Sequence, residues 1–367
     1  MSLMINADRF KADFDALAQI GATGDGGVHR PTWSEPHLEA QRWWQARAAA
    51  AGLEIARDGA ANCSAVWRAP DPNARTLLLG SHTDSVPNGG RFDGALGVMA
   101  ALEVVRTIKE SGAPMPVNLE VMDFADEEGT LVGLLGSSAL AGYLELHIEQ
   151  GPQLVRSAIP IGIVLGIVGI TSLRLVYRGQ ANHAGTTPMT LRHDASLGAA
   201  AFTLTAREMV VRDYATCTIN VGRIDLAPGA FNIIPGEARL ALEFRSPEAV
   251  EQQRLETSLL GLADLIARQY SLSWEVEIVG LCAPARLGQA AQAAIAAAAD
   301  SLALRHTPLP SGAGHDAQSL APLTETGMIF IPSRAGVSHA PEEYSEWSHC
   351  VDGANVLLRA ALTLAEG

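Results

Sequence analysis

A chain of 367 residues, 48% hydrophobic and 18% charged, with 35 Gly and 19 Pro, is long enough for two domains or one large one, which excludes a small disulfide-stapled scaffold and a disordered or fibrous protein. Forty Asp and Glu against 26 Lys and Arg leave a formal charge of −14, and a surface of that sign repels phosphate backbones and anionic lipid, so neither nucleic acid nor a membrane is an expected partner. The four cysteines (Cys63, Cys217, Cys282, Cys350) are scattered without a Cys-x-x-Cys pair, which predicts a reducing, cytoplasmic setting and no structural zinc ribbon.

The N-terminus has no basic region followed by an apolar core, so no signal peptide is expected. Residues 76–80 form an apolar run, Leu96, Met99, Leu102, Val105 and Ile108 recur at helical spacing, and residues 117–124 alternate apolar and polar. This strand-helix-strand unit predicts two parallel strands whose C-terminal ends share one sheet edge, where open α/β folds collect ligands. Residues 159–170 are apolar but too short for a membrane span and are interrupted by Pro160, Gly162, Gly166 and Gly169, whose spacing reads as close backbone packing. The middle of the chain then changes character. Strands are predicted over 171–178, 215–224, 237–245 and 271–279, and helices over 193–212 and 247–270. The order β-α-β-β-α-β is that of a ferredoxin-like α+β domain, expected as an insertion over 169–281. The first domain (1–168) resumes over 282–367 with an Ala-rich helix near 289–299 and a strand at 328–331.

Chemistry-bearing residues follow the predicted strands. His82 stands two residues before Asp84, a spacing that lets a carboxylate orient an imidazole toward a metal. Asp93 precedes a helix, where an N-cap is an equally good reading. Asp126, Glu127 and Glu128 place three like charges side by side, which costs repulsion unless a cation is present or one carboxyl serves as a base. His147 and His339 each follow a strand-like segment. A set of His82, Asp93, Glu128, His147 and His339 mixes nitrogen and oxygen donors, which suits zinc, manganese, cobalt or nickel rather than calcium. Five ligands exceed one tetrahedral site, and a bridging Asp93 would divide them into two. No Gly-x-Ser-x-Gly elbow, phosphate loop, His-Glu-x-x-His helix or dinucleotide fingerprint occurs.

Taken together, Gly80-Ser-His82-Thr-Asp84, Gly-Gly-Arg-Phe-Asp93-Gly94, Asp126-Glu127-Glu128-Gly129, His147-Ile-Glu149-Gln150-Gly151 and Ser338-His339-Ala-Pro-Glu-Glu resemble the dinuclear amidohydrolases related to M20 peptidases. The nearest group is that of N-carbamoyl-L-amino acid hydrolases, β-ureidopropionases and allantoate amidohydrolases. Asn182-His183-Ala-Gly-Thr-Thr-Pro-Met189, Asn232-Ile-Ile-Pro-Gly236, Phe244-Arg245 and Ser311-Gly-Ala-Gly-His315-Asp316 extend the match along nearly the whole chain.

The resemblance implies a mixed-sheet metallohydrolase domain, a dimerisation role for the inserted domain, and two divalent ions per subunit. One ion would be held by His82, Asp93 and His147, the other by Asp93, Glu128 and His339. It further implies Glu127 as general base, Asp84 as the orienter of His82, and His183 as an oxyanion stabiliser acting across a homodimer. Asn232 and Arg245 would clamp the substrate carboxylate, with Gln150 and His315 as further substrate-binding positions. The implied reaction is hydrolysis of the carbamoyl C–N bond of an N-carbamoyl-L-amino acid to amino acid, carbon dioxide and ammonia. Alternatives are an allantoate or ureidoglycolate amidohydrolase, an M20 dipeptidase or aminoacylase, and an inactive dimeric binding module; Pro87 and Arg91 favour the carbamoylases, and the intact metal set disfavours the module. One departure is that Gly142 and Tyr143 abut where similar chains carry several dozen more residues. A true loss there would put the reach of His147 to the first ion in doubt.

Overall fold

The computed structural model describes residues 3–58, 61–128 and 140–366; Gly129 of the Asp-Glu-Glu-Gly motif and residues 136–139 ahead of the Gly142–Tyr143 junction lie outside the described residues. In chain order the strands are β1 (Glu54–Arg57), β2 (Cys63–Trp67), β3 (Thr76–His82), β4 (Asn118–Phe124), β5 (Leu140–Ile148), β6 (Ile161–Ile167), β7 (Gly169–Arg178) and β8 (Asn182–His183). They continue as β9 (Thr218–Ala227), β10 (Ile233–Ile234), β11 (Glu237–Ser246), β12 (Ser273–Cys282), β13 (Ala285–Arg286), β14 (His306–Ser311) and β15 (Thr326–Ile331). The helices are α1 (Ala7–Leu17), α2 (Glu35–Ala50), α3 (Ala95–Ser111), α4 (Gln153–Ser157), α5 (Ala195–Asp213), α6 (Ala249–Gln269), α7 (Gln289–Ser301), α8 (Asp316–Leu320) and α9 (Trp347–Glu366).

The chain divides into two compact units, Met1–Gly166 with Arg286–Gly367, and Ile167–Ala285. In the first, nine strands among the described residues form one mixed sheet in the order β1-β2-β4-β3-β5-β15-β6-β13, with β14 pairing β6. The strands β4, β3, β5 and β15 at its centre are parallel, as crossover connections require, while β1, β2 and β6 pair antiparallel. Helices α3, α7 and α9 pack on this sheet, and every residue of α3 from Ala95 to Ile108 is buried. Alternation along β5 sorts its side chains: Leu144, Leu146 and Ile148 join the apolar core, which leaves Tyr143, Glu145 and His147 on the opposite face.

The second unit carries the antiparallel sheet β12-β7-β11-β9. Leu173, Leu175 and Tyr177 of β7 and Ala238, Leu240, Leu242 and Phe244 of β11 form one core with α5 and α6. The other sheet face is polar, with Arg178 paired to Glu237 and Glu275, and Arg174 paired to Glu277. A separate two-stranded ladder joins β8 to β10.

Candidate metal centre

Parallel pairing places the C-terminal ends of β3, β4, β5 and β15 on one edge of the sheet. His82 is the last residue of β3, His147 the penultimate residue of β5, Glu127 and Glu128 follow β4, and His339 follows β15. Asp93 does not cap α3. The N-cap is Gly94, at φ +61° with no side-chain cap bond, and a Cβ there would stand 2.4 Å from the His82 ring. The Asp93 carboxylate turns instead to the histidines: Oδ1 lies 3.0 Å from His147 Nε2 and 3.9 Å from His82 Nε2, and Oδ2 lies 3.3 Å from His339 Nε2. Glu128 Oε2 is 4.0 Å from His339 Nε2, and Glu127 Oε2 is 3.4 Å from His82 Nε2. With Gly142 and Tyr143 continuous inside β5, His147 therefore reaches Asp93, and the short junction does not withhold it.

The second nitrogen of each buried ring is held by the chain. His82 Nδ1 lies 3.1 Å from the main-chain oxygen of Asp84 and 3.5 Å from its carboxylate, so the main chain shares the orienting task expected of the Asp84 side chain. His147 Nδ1 lies 2.8 Å from the Ile148 carbonyl. Both rings thus keep the Nδ1 proton and turn Nε2 toward Asp93, the orientation a metal ligand needs. The Asp84 Oδ2 atom accepts from the Thr32 hydroxyl at 2.8 Å, and a wholly buried guanidinium, Arg30, donates through Nε to the Thr83 carbonyl at 2.9 Å. Burial lowers Arg30 to about 10, against the charges of Asp123 and Asp84, so it remains a cation beneath these two acids.

Electrostatics make the cluster a candidate cation site. Burial pushes Glu127 up to about 8, against His82 and with the help of Glu128 and Asp93, and burial likewise raises Glu128. Burial also opposes ionisation of Asp93, yet its bonds to His147 and His339 hold it well below the usual carboxylate range. The bond to Asp93 lifts His339 to about 9, while for His147 burial is outweighed by Asp93, again to about 9. Protons thus stand where ligands would otherwise share a cation. Two sets of donors, His82, Asp93, His147 and Asp93, Glu128, His339, each bring one ligand atom per residue within 4.8 Å of the others. Nitrogen and carboxylate donors at that spacing fit a divalent transition ion. A third set, Glu145, His147 and His315, is already bonded: Glu145 accepts from the Ser81 hydroxyl and the Ala317 amide, and His315 Nε2 lies 2.8 Å from Ser311 Oγ.

The remaining expected residues are distributed unevenly. Gln150 donates through Nε2 to Asp93 Oδ2 at 2.9 Å and to Ser338 Oγ at 3.0 Å. His315 packs edge-on against the His147 ring with centroids 4.6 Å apart. Arg91 lies over the Phe14 and Phe92 rings. In the second unit, Ala184 N donates to the Asn232 carbonyl at 3.0 Å, which with the β8–β10 ladder keeps His183 and Asn232 adjacent. The His183 Nδ1 atom accepts from the Gly185 and Thr186 amides at 3.0 and 3.2 Å, which leaves the neutral ring's proton on Nε2 as an outward donor. Asn232 precedes the Glu237 end of β11, whereas Arg245 lies near the opposite end, roughly 26 Å along the strand, and donates to Glu243. The expected Asn232–Arg245 clamp thus starts from two ends of one strand. Sequence reasoning gave no role to the buried residues Arg30, Thr32, Glu145, Asp316 and Glu343, although Asp316 and Glu343 lie within the matched motifs. Asp126, Gln150 and His339, all beside the site, adopt left-handed backbone at φ +66°, +55° and +56°.

A family model described as Peptidase family M20/M25/M40 matches residues 78–363. The N-carbamoyl-L-amino-acid amidohydrolase of Paenarthrobacter aurescens is 34% identical over 407 aligned residues, covering 98% of this chain and 98% of the relative. That alignment is longer than the chain itself, so the relative carries residues without a counterpart here. Ureidoglycolate hydrolase of Arabidopsis thaliana is 31% identical over 419 residues, covering 100% of this chain and 87% of the relative. Among solved structures, a hydantoinase/carbamoylase family amidase from Burkholderia vietnamiensis superimposes with a TM-score of 0.91 at 30% identity, covering 99% of this chain and 98% of that one. The chain belongs to peptidase family M20/M25/M40, a family of metal-dependent hydrolases, and stands beside the amidohydrolases within it.

Proposed function

We propose that the protein hydrolyses the carbamoyl C–N bond of N-carbamoyl-L-amino acids with two divalent ions, zinc, manganese, cobalt or nickel, at the Asp93 cluster. The observation that carries this reading is Asp93, whose two oxygens face different histidines while Glu127 stands beside His82. His82, Asp93 and His147 would hold one ion, and Asp93, Glu128 and His339 the other. When bound, such ions supply a water of lowered pKa and an electrophile for the carbonyl oxygen. Glu127 accepts the proton of the attacking water and passes it to the amino-acid nitrogen as the C–N bond breaks, and the released carbamic acid decays to carbon dioxide and ammonia. Asp84 and the Ile148 carbonyl keep His82 and His147 oriented throughout.

His183 of the partner subunit would donate its Nε2 proton to the developing oxyanion, with Asn232 and Arg245 on the substrate carboxylate and Gln150 and His315 lining the site. A homodimer through the second unit is supported by its surface: α5 exposes Leu197, Leu204 and Val211 at heptad spacing, and β9 is an edge strand with Ile224 and Leu226 exposed. It would also allow an Arg245 and an Asn232 from different chains to meet one substrate. A cytoplasmic location is supported by four free cysteines, and no helix among the described residues is long and apolar enough to cross a membrane.

The test is release of ammonia and amino acid from N-carbamoyl-L-methionine, N-carbamoyl-β-alanine, allantoate, ureidoglycolate and a dipeptide, each with manganese, cobalt or zinc. Turnover of the N-carbamoyl-L-amino acid is the expected result. Turnover of ureidoglycolate or allantoate alone would favour the reading that the Arabidopsis thaliana relative suggests, and turnover of the dipeptide alone would overturn the carbamoylase assignment.

A further inference from the structure

One buried acid ties together two of the loops that carry the proposed ligands. Glu343 is 3% exposed, and its Oε1 atom accepts from the main-chain N–H groups of Phe92 and Asp93, both at 3.1 Å. Its Oε2 atom accepts from the Ser338 hydroxyl at 2.8 Å. Ser338 Oγ in turn accepts from Gln150 Nε2, and the same Gln150 amide donates to Asp93 Oδ2. These bonds close a ring that runs from the Asp93 carboxylate through Gln150, Ser338 and Glu343 back to the Asp93 main chain. Both ends of Asp93 are therefore held, and the residue next to His339 is held with them.

The chain makes room for this acid: a Cβ on Gly90 would stand 1.9 Å from Glu343 Oε1. Capping two amides does not require a bond to Ser338. That bond reaches the His339 loop, whereas the ring meets His82 and His147 only through the other carboxylate oxygen of Asp93, Oδ1, at 3.9 and 3.0 Å from their Nε2 atoms.

We propose that Glu343 is a positioning residue that fixes His339 relative to Asp93, and so sets the affinity of the second ion, at Asp93, Glu128 and His339, separately from that of the first. This rests on the two-ion reading above. Glu343→Gln keeps an acceptor for the amides but presents N–H groups to Ser338, whereas Ser338→Ala cuts the ring and leaves Glu343 on the amides. The experiment is titration of the metal-free full chain with cobalt(II), following ion stoichiometry against a competing chelator and the visible d–d absorption that reports coordination. In both variants the first ion should bind as in wild type while the second weakens about 10–100-fold, the usual effect of losing a group that orients a ligand. Unchanged affinity for both ions would overturn the proposal, as would a parallel loss of both ions with a lowered thermal midpoint. If Glu343→Gln does not fold, Ser338→Ala alone decides. A wild-type chain that binds no second ion would instead refute the two-ion reading, and this proposal with it.

Discussion

His82 and His147 in the first unit and His183 in the second each have Nδ1 fixed by neighbouring main chain, yet Nδ1 plays opposite hydrogen-bond roles in them. The first two place Nδ1 against carbonyl oxygens, so a proton stays there and Nε2 is the atom turned to the Asp93 carboxylate. His183 places Nδ1 against two amide N–H groups, so Nε2 keeps the proton and offers a donor. Exposure follows the same division: His82 and His147 are buried, and His183 is exposed on a two-residue ladder. The polarity of one backbone contact thus sets which ring nitrogen of an identical side chain must carry a proton.

The harshest test of that division is His147→Ala. It should cost the ion held with His82 and Asp93 and abolish turnover, as read by metal analysis and ammonia release; an unchanged metal content would mean that His147 is not a ligand. Glu127→Gln should keep both ions while turnover falls about 10²–10⁴-fold, the range for loss of a general base. Near wild-type turnover with metal bound would remove Glu127 from that role. His183→Ala should lower kcat about 10²–10³-fold with metal content intact, since only a donor to developing charge is lost. Mixing His183→Ala protomers with Glu127→Gln protomers should return activity to one site of the heterodimer, and no recovery would place His183 outside the partner's site.

The smallest expected effect concerns stability alone. Burial raises Asp123 to about 7, although the Thr83 hydroxyl bonds its carboxylate at 2.9 Å. The folded chain therefore holds this proton where the unfolded chain releases it, and stability falls as pH rises from about 4 through about 7. Asp123→Asn should flatten that slope, so thermal midpoints at pH 5 and pH 8 should differ less in the variant than in wild type. An equal difference in both would show that Asp123 does not titrate with folding.

Much of the architecture was legible because it is periodic. The apolar run of β3, the helical spacing from Leu96 to Ile108 and the alternation in β4 identified the central unit, and the β-α-β-β-α-β order of the middle segment has its counterpart in β7, α5, β9, β11, α6 and β12. Ligand candidates were legible because they follow strands whose ends converge. Arg30, Glu145, Asp316 and Glu343 were not, since in one dimension a wholly buried charge has the same signature as a solvated one. Asp93 carried two readings until the structure showed that Gly94 is the cap. Asn232 and Arg245 were paired by the family resemblance, and the strand predicted over 237–245, observed as Glu237–Ser246, sets Arg245 near its far end from Asn232.

The left-handed backbone at Asp126, Gln150 and His339 has a consequence for how this fold breathes. Non-glycine residues in that region store on the order of 1–2 kcal/mol each, held in place only by the contacts around them. Amide hydrogens of these three turns should therefore exchange with solvent sooner than those of the buried strands they follow. Metal ions would slow that exchange most at these turns, so the strained corners would serve as internal reporters of whether the site is loaded.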